Sequence, residues 1–259
     1  MLEPIYQIVN NYYTDYMFFD CLFVNNDVYL QRLVLTEKLL KGKTMENSQR
    51  SPLHLLWLDK YNQALENMQK SKQKGKGILI EVAAQHPLKD GQYPAEEFSA
   101  RLDLGVKLYQ ELSARDEVKF YIPGSRHQEN GKADLVSLST AGKNYLISKG
   151  IPAENIFADD ANDDIMGAKG VYNSTDECFV SCSLFKKYNF AELHLVCSPN
   201  QMMRKMLCYI NFGCFPNIHT ASTDKMYHNP INEIFECIPK VLENNQAAED
   251  VTRNSRRVG

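Results

Sequence analysis

The residues able to do chemistry stand in short clusters, each directly behind an apolar run. Gln85 and His86 follow "GILIEVAA"; Gly124, Ser125, Arg126 and His127 follow "EVKFYIP"; Asp159 and Asp160 follow "ENIFA". Ser198, Asn200 and Gln201 follow "ELHLVC", with Arg204 one turn later, and Ser174, Thr175 and Glu177 open the segment before that run. Hydroxyls, amides and guanidinium groups in such clusters suit an anion, because an arginine fork and a helix start both present N–H donors to it. Arg101 and Arg204 are the candidates to hold a phosphate or carboxylate. Gln85, Gly124, Ser125, Arg126, Thr175, Ser198 and Gln201 are further ligand contacts. Glu177, His127 and Asp159 are the candidates for general acid or base. Each has a plainer reading: a serine behind a strand is more often a helix cap, and a helix arginine more often a surface residue.

Periodicity supplies the elements that would position these groups. Residues 77–84, 117–124, 154–159, 192–198 and 215–222 read as five strands, the first an apolar β-branched run of the kind buried in parallel sheets. Amphipathic helices are expected between them over 94–114, 132–150, 174–189 and 200–213, with Ser174 or Thr175 as the cap of the third, and a last helix over 231–245. Strictly alternating strands and helices give a doubly wound, mainly parallel five-stranded α/β sheet, in which ligands bind beyond the carboxyl ends of the strands. Residues 1–76 read as a helical extension ending in the lysine- and glycine-rich "QKSKQKGKG", 77–245 as the α/β domain, and 246–259 as a flexible tail.

Composition removes several classes. A net charge of −3 gives no sequence-independent grip on nucleic-acid phosphates. The apolar "YMFFDCLFV" is too short to span a bilayer and has no signal-peptide flanks, so a membrane partner is not expected. Seven cysteines without a CxxC pair suit reduced thiols in a cytoplasm. Cys178 and Cys182 read as core residues, and no metal-ligand spacing is visible. His194 alternates with buried strand positions and reads as an outward-facing or satisfied strand residue. "ADDANDDIMG" reads as a solvated acidic loop, without the calcium-loop pattern. GxGxxG, GxxxxGK[ST] and GxSxG are all missing, which argues against the common dinucleotide, P-loop and hydrolase sites.

The loops taken in order resemble the YdcF/SanA/ElyC family, over about residues 77–220. "AAQHPLKDGQYPAEEFSARLDLGVKLYQE" is similar to its opening turn and Arg-Leu-Asp helix, and "IPGSRHQENGKADLVSLSTAGKNYLISKGIPAENI" to its serine-glycine turn and following helix. "STDECFVSCSLFKKY" resembles its Thr-x-Glu-Asn helix start, and "LVCSPNQMMRK" its Val-Thr-Ser-x-(Tyr/Phe)-His-Met-x-Arg segment. The resemblance implies a Rossmann-like fold with a cleft at the strand ends. It also implies, through one family member, S-adenosylmethionine as a possible cofactor. It is closest to the soluble YdcF type. The chain departs from the pattern at Ala83, in place of a glycine, at Cys178, in place of an asparagine, and at Gln201, in place of a histidine. Gln201 keeps hydrogen bonding but cannot shuttle a proton near neutral pH. The expected function is a small-molecule enzyme, a transferase or hydrolase on a nucleotide-like or phosphorylated ligand. The alternative is a non-catalytic metabolite-binding or regulatory module.

Overall fold

A computed structural model describes residues 75–129, 132–211, 217–224 and 256–257. The helices expected before residue 75 and over 231–245 lie outside the described residues. Ile78–Val82 (β1) is a strand with all five residues buried, as its unbroken aliphatic character requires. Glu96–Leu112 (α1) follows, with Glu96 and Glu97 in the first turn, where the helix dipole favours negative charge. Val118–Tyr121 (β2) leads into a hairpin of His127–Glu129 (β3) and Lys132–Ala133 (β4), then Leu138–Ser148 (α2). Ile156–Phe157 (β5), Asp159–Met166 (α3) and Ser174–Lys187 (α4) come next. The remaining elements are Glu192–Cys197 (β6), Pro199–Asn211 (α5), Asn217–Ser222 (β7) and the short Arg256–Arg257 (β8).

The main sheet is wholly parallel, in the order β5-β2-β1-β6-β7. Ile80 of β1 pairs with Phe120 on one side and His194 on the other, so β1 is the central strand. The chain builds from β1 outward through β2 to β5, then crosses back to lay β6 and β7 on β1's other edge. That reversal between β1 and β6 defines a doubly wound, Rossmann-like sheet, and its switch point is where such folds bind ligands.

Side-chain alternation divides the core in two. Ile78, Ile80, Val82, Phe120 and Val196 pack against Phe98 and Leu102 of α1 and Leu138 and Leu146 of α2. Leu79, Tyr121, Leu193, Leu195 and Cys197 pack against Val180, Leu184 and Phe185 of α4 and Leu207 and Tyr209 of α5. Glu81 shares the second face and has no exposed surface. Cys178 and Cys182 are both buried free thiols, as core residues would be.

Four expectations are corrected. Lys132–Ala133 is a strand rather than the start of α2, with Gln128 of β3 paired to Ala133 and Glu129 to Lys132. The aspartate-rich segment is a helix, not a loop: Asp159 and Asp160 occupy its first turn, where the dipole stabilises them. The cap of α4 is Asn173, whose side chain accepts from the Asp176 N–H, rather than Ser174 or Thr175. Within the expected flexible tail, Arg256–Arg257 pairs with His127 and Gln128.

Candidate functional site

Glu81 is the starting point, because a carboxylate inside an apolar strand must find a partner. Lys205 supplies it. Its Nζ, with no exposed surface, lies 2.6 Å from Glu81 Oε1 and donates also to Glu177 Oε2. The Tyr209 hydroxyl donates to the second Glu81 oxygen. Burial works against the Lys205 charge, but Cys178, Glu177 and Glu81 outweigh it and hold its pKa well above the usual lysine range. Burial also keeps Cys178 a thiol, so at neutral pH the two carboxylates carry that effect. Burial and Glu81 together push the Tyr209 phenol well above its ordinary value, so it stays a donor. One lysine thus ties β1, α4 and α5 together and fixes Glu177 at its inner oxygen.

A second network braces the ends of β1 and β6. Arg101, with no exposed surface, donates through Nε to Ser198 Oγ at 3.1 Å and through Nη1 to the carbonyls of Ala83 and Ala84 at 2.9 and 3.1 Å. Its Nη2 reaches Gln85 Oε1 at 3.5 Å and Glu97 Oε1. All five guanidinium N–H groups are therefore in use. Ser198 Oγ in turn donates to Glu97 Oε1 at 2.6 Å, and Gln201 Nε2 donates to Gln85 Oε1 at 3.1 Å.

The cleft opens above these networks, at the carboxyl ends of β1, β2 and β6, with about 370 Å³ counted out to its mouth. His86 comes from the loop after β1, Gly124 from the loop after β2, His127 from the start of β3, Asn173, Ser174 and Glu177 from α4 and its cap, and Gln201 and Arg204 from α5. Ala84, Leu138, Val171 and Tyr172 supply the apolar walls. His86 and His127 stack with centroids 5.0 Å apart, and His127 meets the edge of Tyr172 at 5.4 Å. His86 Nε2 lies 3.4 Å from Asp134 Oδ2, at the end of the hairpin. Gly124 has φ +105°, and a Cβ there would sit 2.8 Å from that of Leu138, so only glycine makes this turn at the cleft wall.

Of the residues singled out from sequence, the structure brings Gly124, His127, Glu177, Gln201 and Arg204 together in the cleft. Arg101, Ser198 and Gln85 stand behind it as the brace, their polar groups engaged with one another. Ser125 is also placed apart: its Oγ accepts from the Val171 N–H at 2.8 Å and so pins two loops. Thr175 Oγ1 lies 3.8 Å from Cys208 Sγ. Arg126 is exposed and donates from Nε to the Asp134 carbonyl. Asp159 accepts from the Ser137 hydroxyl at 2.7 Å and from Thr140, joining α2 to α3.

Sequence reasoning missed Glu81, Lys205 and Asp134. A glutamate inside "GILIEV" was a usable signal, since buried carboxylates are paired. Lys205 and Asp134 carried none, their partners lying 124 and 48 residues away in sequence. Comparison of the chain with protein-family models, curated proteins and solved structures finds no match. Among the described residues, no helix is long and apolar enough to cross a membrane.

Proposed function

We propose that this chain is a YdcF-like small-molecule enzyme acting on a nucleotide-like or phosphorylated ligand held at the switch point. The observation that supports this reading is one cleft containing a buried arginine, a carboxylate gripped from behind by a buried lysine, and a stacked histidine pair. Arg204 is the anion-holding group. Glu177 is the general base, kept in place by Lys205, and His127 the general acid or base beside it. S-adenosylmethionine belongs to the same ligand class. Its carboxylate suits Arg204 and its ammonium suits Glu177, and when bound it would supply an activated methyl group. The described cysteines are free thiols, as a reducing cytoplasm keeps them.

Gln201, bonded to Gln85 where the resembled family has a histidine, favours a second reading: a metabolite-binding module without turnover. A thermal-shift screen with nucleotides, sugar phosphates and S-adenosylmethionine separates the two. Arg204 is almost fully buried, so Arg204→Lys is a better probe than alanine, keeping charge while losing the fork. A ligand shift reduced in Arg204→Lys, with turnover lost in Glu177→Gln, supports the enzyme. Binding without turnover of any tested ligand supports the module. Binding unaffected by either substitution sinks the cleft assignment.

A further inference from the structure

Toward the amino ends of the strands, away from the cleft, Glu192 opens β6, His194 follows two residues on, and His219 lies directly across from His194 on β7. Strand alternation puts all three on one face of the sheet. Glu192 Oε2 is 3.1 Å from His194 Nε2 and 3.7 Å from His219 Nε2, and the three donor atoms lie within 4.8 Å of one another. The two imidazoles stack with centroids 4.5 Å apart. A tetrahedral ion with metal–ligand lengths of about 2.0–2.2 Å needs ligand atoms roughly 3.4 Å apart. Both edges to the carboxylate are already near that span.

We propose that Glu192, His194 and His219 form a binding site for a zinc-class divalent metal ion. Two imidazoles and one carboxylate are a borderline nitrogen–oxygen set, suited to Zn²⁺, Co²⁺ or Ni²⁺ rather than to the all-oxygen preference of Ca²⁺ or Mg²⁺. Three protein ligands leave a fourth position for water. Arg115 holds Glu192 through Nη1 to Oε1 at 3.3 Å and Nη2 to Oε2 at 2.7 Å. Its side chain is 52% exposed, so it can swing into solvent when an ion takes Oε2. The arginine is therefore a competing cation, and the bound metal ties edge strand β7 to β6.

The full-length protein, stripped by chelation, is titrated with Zn²⁺ by calorimetry and with Co²⁺ by visible absorption. The expected result is one saturable site, Co²⁺ bands of a nitrogen–oxygen ion without thiolate charge transfer, and a raised unfolding midpoint. His219 is only half-buried, so His219→Gln keeps the fold, as circular dichroism would verify. It and Glu192→Gln should each weaken binding at least roughly tenfold, the loss that even supporting residues of metal sites produce. Arg115→Ala should tighten it several-fold. Affinity unchanged in His219→Gln and Glu192→Gln, a thiolate charge-transfer band, or no saturable binding overturns the proposal.

Discussion

Buried charge sets the consequences of single substitutions. Lys205, itself without exposed surface, neutralises two carboxylates, so Lys205→Met removes the cation that Glu81 and Glu177 share. Removing one partner of a buried ion pair costs roughly 3–5 kcal/mol. Urea unfolding should show a loss of that size, whereas Lys187→Ala, which breaks an exposed pair with Asp164, should show none. His194 makes a pH prediction. Burial holds its imidazole down at about 4, against an upward pull from Glu192 and with a further lowering from His219 and Arg115. The fold thus prefers the neutral ring, and between pH 4 and 6.5 the unfolded chain binds more protons. Stability is complete above about 6.5 and falls as the pH drops toward 4, by about 3 kcal/mol from this group. Glu192 acts in the same direction below its ordinary range, since Arg115 and His194 outweigh the effect of its burial. Urea midpoints in chelator at pH 7 and pH 4.5 should differ markedly, and His194→Gln should flatten the difference.

Helix-to-sheet spacing is governed by glycine. In α2, a Cβ on Gly142 would sit 2.6 Å from Ile122 Cγ2 and 3.0 Å from Phe98 Cζ. Alanine gains up to about 1 kcal/mol of helix propensity over glycine, while overpacking a core costs about 1–3 kcal/mol. Ile122 Cγ2 branches directly from the β-carbon and cannot swing away like a chain end, and both side chains are fully buried, so the second effect wins. Gly142→Ala should lower the unfolding midpoint, and a rise would show that α2 can lift away from β2. The helices themselves were legible in sequence because their apolar residues recur at helical steps. The hairpin and α3 were not: a two-residue strand has too few residues to show a period, and aspartate has low helix propensity until a helix start stabilises it.

Protection from exchange should follow the sheet order. β1 is wholly buried and flanked on both edges, while β5 is an edge strand of two residues. Native-state hydrogen exchange should therefore open β1 amides only with global unfolding, and β5 amides at much lower free energy. Equal protection of the two would contradict the layered core described above. The cleft shares its floor with that core, because Glu81 belongs to β1 and its carboxylate reaches the lysine that holds Glu177.

The amino-acid sequence by itself determined the alternating elements, the parallel sheet and the loops where a site would fall, because burial on two faces and helical amphipathicity are local patterns. It also singled out Glu177, His127, Gln201 and Arg204, which the fold brings to one cleft. Only the tertiary structure decided which polar groups face the cleft. Arg101 and Arg204 are both buried helix arginines, yet one reaches the carbonyls behind β1 and the other lines the opening. The Arg101–Ser198 bond spans 97 residues and the Lys205–Glu81 pair 124, and His194 meets His219 only through strand register. Strand register and helix packing create such neighbours, and no spacing along one chain encodes them.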